Sequence, residues 1–175
     1  EIAAVIRATG IALPTREDMA EIEPSSRLYS SDGAHVMTAS LPTDAGPGAP
    51  AFAPAFAPVT FALGARALVT SRYHDPRPFR TYPDRARETG VAPDSAREVA
   101  LGLIDESVDR IADLLERSGD RLDALSRDVF AEPERGELRG SDFRVALTGI
   151  GREADFVARP RACLVSLERM LGFFT

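Results

Sequence analysis

A single cysteine, Cys163, occurs in 175 residues, so no internal disulfide can brace the fold and the composition permits a reducing compartment. Leu164 and Leu167 beside it point to a buried helical position for the thiol. Long apolar runs are also missing. Stretches such as Val59 to Leu63 and Ala67 to Val69 fall far short of the roughly 20 residues that cross a bilayer. No charged start followed by an apolar run and a small-residue cleavage site is present, so no secretory signal is visible. Positive charge is in deficit, with 21 basic against 27 acidic residues and a net charge of −6. That balance argues against a phosphate-binding surface and hence against a nucleic-acid partner.

Catalytic signatures are absent too. There is no Gly-x-Ser-x-Gly, phosphate loop, His-Glu-x-x-His or Cys-x-x-Cys. The two histidines, His35 and His74, have no spaced His or Cys partner and read as ordinary strand or turn residues. Without a placed His, the many Ser and Asp residues have no base. The expectation is that the chain is not an enzyme.

What is present is a core-forming composition, 44% hydrophobic and 27% charged, which fits a globular chain. The first residue already sits in a helical pattern, so the sequence is expected to begin inside a domain. Glu1 to Thr9 reads as a helix end stopped by Gly10. Thr15 with Asp18 three residues on gives a capping-box-like start to a short second helix, and Glu17 and Asp18 in its first turn suit the helix dipole. Pro24 is expected to end that helix. Asp32-Gly33 is a tight-turn dipeptide between Arg27 to Ser30 and Ala34 to Leu41. Pro42 to Pro58, rich in Pro, Ala and Gly, reads as a mobile loop. Val59 to Leu63 and Ala67 to Tyr73 make a second hairpin around Gly64-Ala65. Asp75 to Pro78 reads as a turn, and Tyr82 to Thr89 as a helix closed by Gly90.

From Asp94 the pattern becomes helical. Asp94-Ser95 with Glu98 is a capping signal, and Leu101, Ile104, Val108, Ile111, Leu115, Leu122, Leu125 and Val129 recur mostly at steps of three and four, with an interruption near Ser118-Gly119. Pro133 and Gly136 break the helix and Ser141 or Asp142 caps another. There Phe143, Leu147, Ile150, Ala154, Val157, Leu164, Leu167 and Leu171 continue similar spacing. These stripes predict an antiparallel hairpin of two long helices, with a kink or break at Pro160. The fold class expected is α/β: a three-layer α/β/α head with a mixed sheet at 1–92, then the helical hairpin at 93–175.

Asp105, Asp109, Asp113, Glu116, Asp120 and Asp123 lie on one stripe of the first long helix. Like charges so placed repel by roughly 0.2 to 0.5 kcal/mol per pair, partly offset by Arg110, Arg117 and Arg121. The stripe is either a solvated face or a surface for hard cations, since Mg²⁺ and Ca²⁺ prefer oxygen ligands. Glu17 and Asp18 divide in the same way, between complementing the dipole and binding an ion.

Several stretches taken in order resemble the cytosolic domain of the CorA-type magnesium transporter family. They are Gly10-Ile11, Leu13-Pro14 and Arg16-Glu17-Asp18-Met19; the hairpin Val59 to Tyr73 followed by Asp75-Pro76, Pro78 and Phe79; and Leu101-Gly102-Leu103-Ile104-Asp105 opening a helix that runs to Leu125-Ser126-Arg127-Asp128-Val129-Phe130. The resemblance implies the cytosolic, metal-sensing part of a divalent-cation transporter at the cytoplasmic face of the bacterial inner membrane. It implies Mg²⁺ as regulatory ion, bound weakly by this portion alone, and Mg²⁺, Co²⁺ or Zn²⁺ as the transported ion. It implies a homopentamer that meets the membrane only through helices absent from this sequence. Asp18 resembles the principal regulatory carboxylate, and Glu17 and Asp105 resemble members of an adjacent site, each completed by a neighbouring subunit. The family's Gly-Met-Asn pore signature is absent from this sequence, and Pro160 departs from an uninterrupted second helix. Clustered Cys or His that would favour zinc is lacking at these positions. A soluble α/β plus hairpin interaction module and a carboxylate hydrolase are the alternative readings.

Overall fold

The computed structural model describes residues 2–43, 54–90, 92–130 and 140–174. Helix α1 (Ile2–Thr9) stops at Gly10, whose φ of 72° terminates it as expected. Helix α2 (Arg16–Ala20) starts at the Thr15 cap. Pro24 opens the one-turn α3 (Pro24–Arg27) rather than closing α2, because a proline at a first helical position loses only an N–H that has no helical partner there. Strands β1 (Leu28–Ser31) and β2 (Ala34–Pro42) follow, joined by Asp32 and Gly33 at φ 53° and 74°. Two positive φ angles in a two-residue loop match the twist of the flanking strands. Strands β3 (Phe56–Leu63) and β4 (Leu68–Arg72), then helices α4 (Pro78–Thr89), α5 (Ala96–Phe130) and α6 (Gly140–Phe174), complete the order.

The sheet runs β1-β2-β3-β4, with antiparallel pairing throughout the described strands. The mixed sheet expected from sequence is therefore an antiparallel meander. The short loops at Asp32-Gly33 and 64–67 dictate this, since a parallel neighbour needs a crossover of a dozen or more residues. Of the expected loop at 42–58, residues 44–53 lie outside the described residues. Pro42 and Pro58 are strand residues, in register with Phe56 and Ser40. Pro58 is tolerated because β4 pairing ends one residue away, at Val59 with Arg72.

The two faces of the sheet build different clusters. Met37, Ala39, Leu41, Val59 and Phe61 share one core with Ala100, Leu103, Ile104 and Ile111 of α5 and Cys163, Leu167 and Met170 of α6. The alternate residues Val36 and Ala62 pack with Ile11 on the other face. There Thr38 and Thr60 pair their hydroxyls at 2.7 Å, which satisfies two buried polar groups across the strands. Met19 of α2 is buried beside Ser71 of β4 on this same face. Helix, sheet and helix thus form three layers, and the first core runs across position 92 into the hairpin.

Cys163 sits where the expected burial put it, its thiol donating to the Ser40 carbonyl oxygen at 2.7 Å. Burial pushes its pKa up to about 12, and only a thiolate reacts quickly. An aromatic disulfide reagent at pH 8 is expected to leave Cys163 unlabelled in the native chain and to label it fully once urea unfolds the protein. Prompt stoichiometric labelling of the native chain would show that α6 does not seat on β2 in this way.

Both long helices are 35 residues. α5 is continuous through Ser118 and Gly119, and α6 through Pro160, where a kink or break was expected. Expected helix signals at Pro133, Gly136, Ser141 and Asp142 fall outside the described residues or side chains. The seam between the helices matches the apolar stripes of the sequence only in part, at residues such as Ile111 and Leu167. It uses Ala100, Ser107, Ile111, Leu114 and Ser118 from α5 and Ala146, Glu153, Phe156, Pro160, Cys163, Leu167 and Met170 from α6, all buried. Leu101, Val108, Leu122, Phe143, Leu147, Ile150 and Val157, read as seam, are exposed. Small residues let the helices approach closely: a Cβ on Gly149 would lie 2.8 Å from Leu125 Cδ1.

Candidate metal-sensing surface

Glu17 and Asp18 stand exposed in the first turn of α2. The Asp18 carboxylate accepts from the Thr15 backbone N–H at 2.9 Å, and the Asp18 N–H donates to Thr15 Oγ1 at 3.2 Å. This reciprocal box is the cap legible in the sequence. The Thr15 backbone bond, helped by the Thr15 side chain, holds the Asp18 carboxyl below its usual range. Asp18 therefore stabilises α2 above the usual carboxylate pKa, and that contribution is lost as pH falls through its own lowered pKa. Its charge also reaches Tyr29 of β1, whose phenol is pushed up mainly by burial and secondarily by Asp18.

Asp105 is on the other layer, exposed near the start of α5. Arg85 of α4 approaches it at 3.9 Å while donating to Glu106 Oε1 at 2.7 Å and Asp109 Oδ2 at 3.3 Å. Glu106 also accepts from Thr81 Oγ1 at 2.8 Å. The hydrogen bond from Arg85 to Glu106 raises the Arg85 pKa further, so the cation is permanent. A cleft of about 250 Å³ opens between α4 and α5, lined by Tyr82, Arg85, Glu98, Gly102, Asp105 and Glu106 among others. Farther along α5 the stripe stays exposed, and Asp113 is approached by Arg77 and Arg110, each at 3.9 Å. Arg121 turns into the seam and bonds Glu153 at 2.6 and 2.9 Å.

The two histidines differ in setting. His35 shares a 2.9 Å hydrogen bond with Ser30 and meets the Phe173 ring edge-on at 5.4 Å. Both ring nitrogens of His74 are buried without a hydrogen-bond partner among the described residues, and burial, then Arg72, lowers its pKa against the pull of Asp75. The imidazole is thereby kept neutral.

The sequence matches the family model for CorA-like Mg²⁺ transporter proteins over residues 4–142. The chain belongs to the CorA-like Mg²⁺ transporter family. It is 30% identical over 165 residues to the magnesium transport protein CorA of Yersinia pseudotuberculosis, and 29% identical over the same length to the proteins of that name from Salmonella typhimurium and Escherichia coli K12. Each alignment covers 94% of this chain and 49% of the relative, so the chain spans about half the length of the curated relatives it matches. Among the described residues, no helix is long and apolar enough to cross a membrane.

Carboxylate oxygens suit Mg²⁺, which commonly keeps waters between itself and the protein. Among the described residues, no three acidic, His or Cys side chains come together in a way that could hold a metal ion. Glu17 and Asp18 are adjacent, whereas Asp105 lies beyond the sheet. A single copy thus offers partial sites only, with Asp18 keeping one carboxylate oxygen outside the cap.

Proposed function

We propose that this chain is the cytosolic regulatory part of a divalent-cation transporter, sensing Mg²⁺ through Asp18, Glu17 and Asp105 and carrying out no catalysis of its own. Membership of the CorA-like family over most of the chain carries this reading. The exposed carboxylates support it, because an ion coordinated by one or two of them needs its remaining donors from water or from a second subunit. Copies of the protein would form a ring, a homopentamer, at the cytoplasmic membrane face. Carboxylates facing each other across a subunit boundary repel, a divalent ion bridges them, and loss of the ion frees the subunits to separate. Binding therefore biases the assembly toward its closed form. A shift from 1:99 to 99:1 takes roughly 5.5 kcal/mol of differential binding, which several weak sites around a ring supply more readily than one. The donors named are all oxygens, which fits Mg²⁺ better than Zn²⁺ as the sensed ion; Co²⁺ and Zn²⁺ are the alternatives for the transported one.

The test uses the whole transporter. Asp18→Asn keeps an oxygen to accept from Thr15 and removes the charge, so the cap survives and the metal ligand is weakened. The Mg²⁺ concentration that half-protects the protein from limited proteolysis is expected to rise roughly tenfold in Asp18→Asn, and to rise in Glu17→Gln and Asp105→Asn, with ion uptake retained. Unchanged protection would remove the residue concerned from the sensing site. In the 175-residue chain alone, calorimetry should detect only weak Mg²⁺ binding; a tight stoichiometric site there would relocate it.

A further inference from the structure

We infer that Arg85 is a tethered counter-cation that competes with Mg²⁺ for Asp105 and thereby sets the concentration at which the sensing surface fills. This role rests on the reading of Asp105 as a sensing carboxylate. One guanidinium nitrogen, Nη1, faces three carboxylates of α5: Glu106 at 2.7 Å, Asp109 at 3.3 Å and Asp105 at 3.9 Å. The three differ in kind. The Glu106 side chain is only 12% exposed, and its two oxygens are divided between Arg85 and Thr81, both of α4. Asp105 and Asp109 are 67% and 64% exposed and remain open to water. Glu106 therefore anchors the guanidinium, whose charge stands beside Asp105 without needing Asp105 to hold it there.

That anchoring turns a neighbour into a competitor. A guanidinium does not deprotonate in a protein, so its charge is withdrawn from Asp105 only if the side chain swings away, and the Glu106 bond opposes that. The cleft of about 250 Å³ lined by Arg85, Glu98, Asp105 and Glu106 among others leaves room on this side of α5 for an ion that keeps several of its waters. Adding an Mg–O bond of about 2 Å to the 3.9 Å contact puts a cation on Asp105 roughly 6 Å from the guanidinium. That is inside the screening length of about 8 Å at physiological salt. A divalent and a unit charge so separated in water repel enough to weaken binding roughly three- to tenfold. Arg87, also of α4, has no such place: it pairs with Asp84 at 2.7 Å and is 76% exposed.

The test again uses the whole transporter and the Mg²⁺ concentration that half-protects it from limited proteolysis. Arg85→Gln should lower that midpoint roughly three- to tenfold at physiological salt, and by no more than about twofold in about 0.5 M KCl, each against the parent at the same salt. Arg85→Lys keeps the charge and should stay within about twofold of the parent. Arg87→Gln should leave the midpoint unchanged. In an Asp105→Asn background Arg85→Gln should lose its effect, the mark of direct coupling between the two positions. Should Arg85→Gln misfold, Arg85→Met removes the same charge and is read in the same way. A midpoint unmoved by Arg85→Gln, moved equally by Arg87→Gln, or moved as far in the Asp105→Asn background overturns the competition while leaving Asp105 a sensor. A midpoint unchanged by Asp105→Asn itself overturns both.

Discussion

Glu153→Ala is expected to lower the unfolding free energy by about 3 kcal/mol, the lower end of what removing one partner from a buried ion pair costs. For a chain of this length that corresponds to a fall in Tm of roughly 6 to 12 °C. The reason lies in the seam. Glu153 is only 6% exposed, accepts from Ser118 Oγ at 2.6 Å, and is gripped by Arg121 through Nε at 2.6 Å and Nη2 at 2.9 Å. Arg121 also lies over the Phe156 ring at 5.6 Å. Truncating Glu153 takes away the carboxylate that a largely buried guanidinium and a buried hydroxyl both bond. Replacing the whole triad, as Ser118→Ala, Arg121→Leu and Glu153→Leu, is expected to fall within about 1 kcal/mol of the parent, because no uncompensated charge is left. Urea unfolding measures both. A cost under about 0.5 kcal/mol for Glu153→Ala would mean that water, not the seam, solvates this pair.

The pH dependence gives a second reading of the same contact. The Arg121 hydrogen bond, with help from Ser118 and against burial, holds the Glu153 carboxyl below its usual range. A depressed carboxylate stabilises the fold fully above the unfolded pKa and loses that contribution as pH falls through the folded one. The gap between parent and Glu153→Ala should therefore be widest near neutrality and narrow below about pH 4. The triad also acts on register. A one-heptad slip of α6 toward the head would set Glu153 opposite Ile111 and Leu114, where no donor awaits it, and a buried polar residue in a seam specifies alignment in this way.

Local signals in the sequence were strong where one or two residues determine the geometry. The Thr15–Asp18 box, the Asp32-Gly33 turn and the Gly90 stop each depend on a single backbone or side-chain preference, and each appears in the structure. The hairpin was legible for a similar reason, as two long helical periods separated by Pro and Gly. Its seam was legible only in part. Ile104, Ile111 and Leu167 of the expected stripes are buried in the shared core, whereas Leu101 and Phe143 are exposed, and the helices also meet through Ser118, Gly149 and Glu153, small or polar residues that hydrophobicity does not flag. Pro58 was misjudged because a proline's effect depends on whether a neighbouring strand needs its N–H, which local sequence does not reveal. Glu17, Asp18 and Asp105 could be singled out only through the family resemblance. In one copy they lie on two layers and do not converge, so spacing along the chain carries no geometric information about them.

Gly102→Ala is expected to destabilise the chain by about 1 to 3 kcal/mol, although the same exchange in an exposed helix interior normally stabilises by up to about 1 kcal/mol. Gly119→Ala and Gly151→Ala supply that baseline, since a Cβ at either position meets nothing within 4 Å, and each should raise stability by about 0.5 to 1 kcal/mol. At Gly102 the added Cβ would fall 2.1 Å from Tyr82 Cε2 and 2.6 Å from Cζ. No rotamer of alanine relieves that overlap, so the tyrosine ring must leave its place against α5. Adding Tyr82→Ala should cancel most of the penalty, leaving the double variant more stable than the sum of its single changes. If Gly102→Ala stabilises as much as Gly119→Ala, the Tyr82 ring does not rest against Gly102.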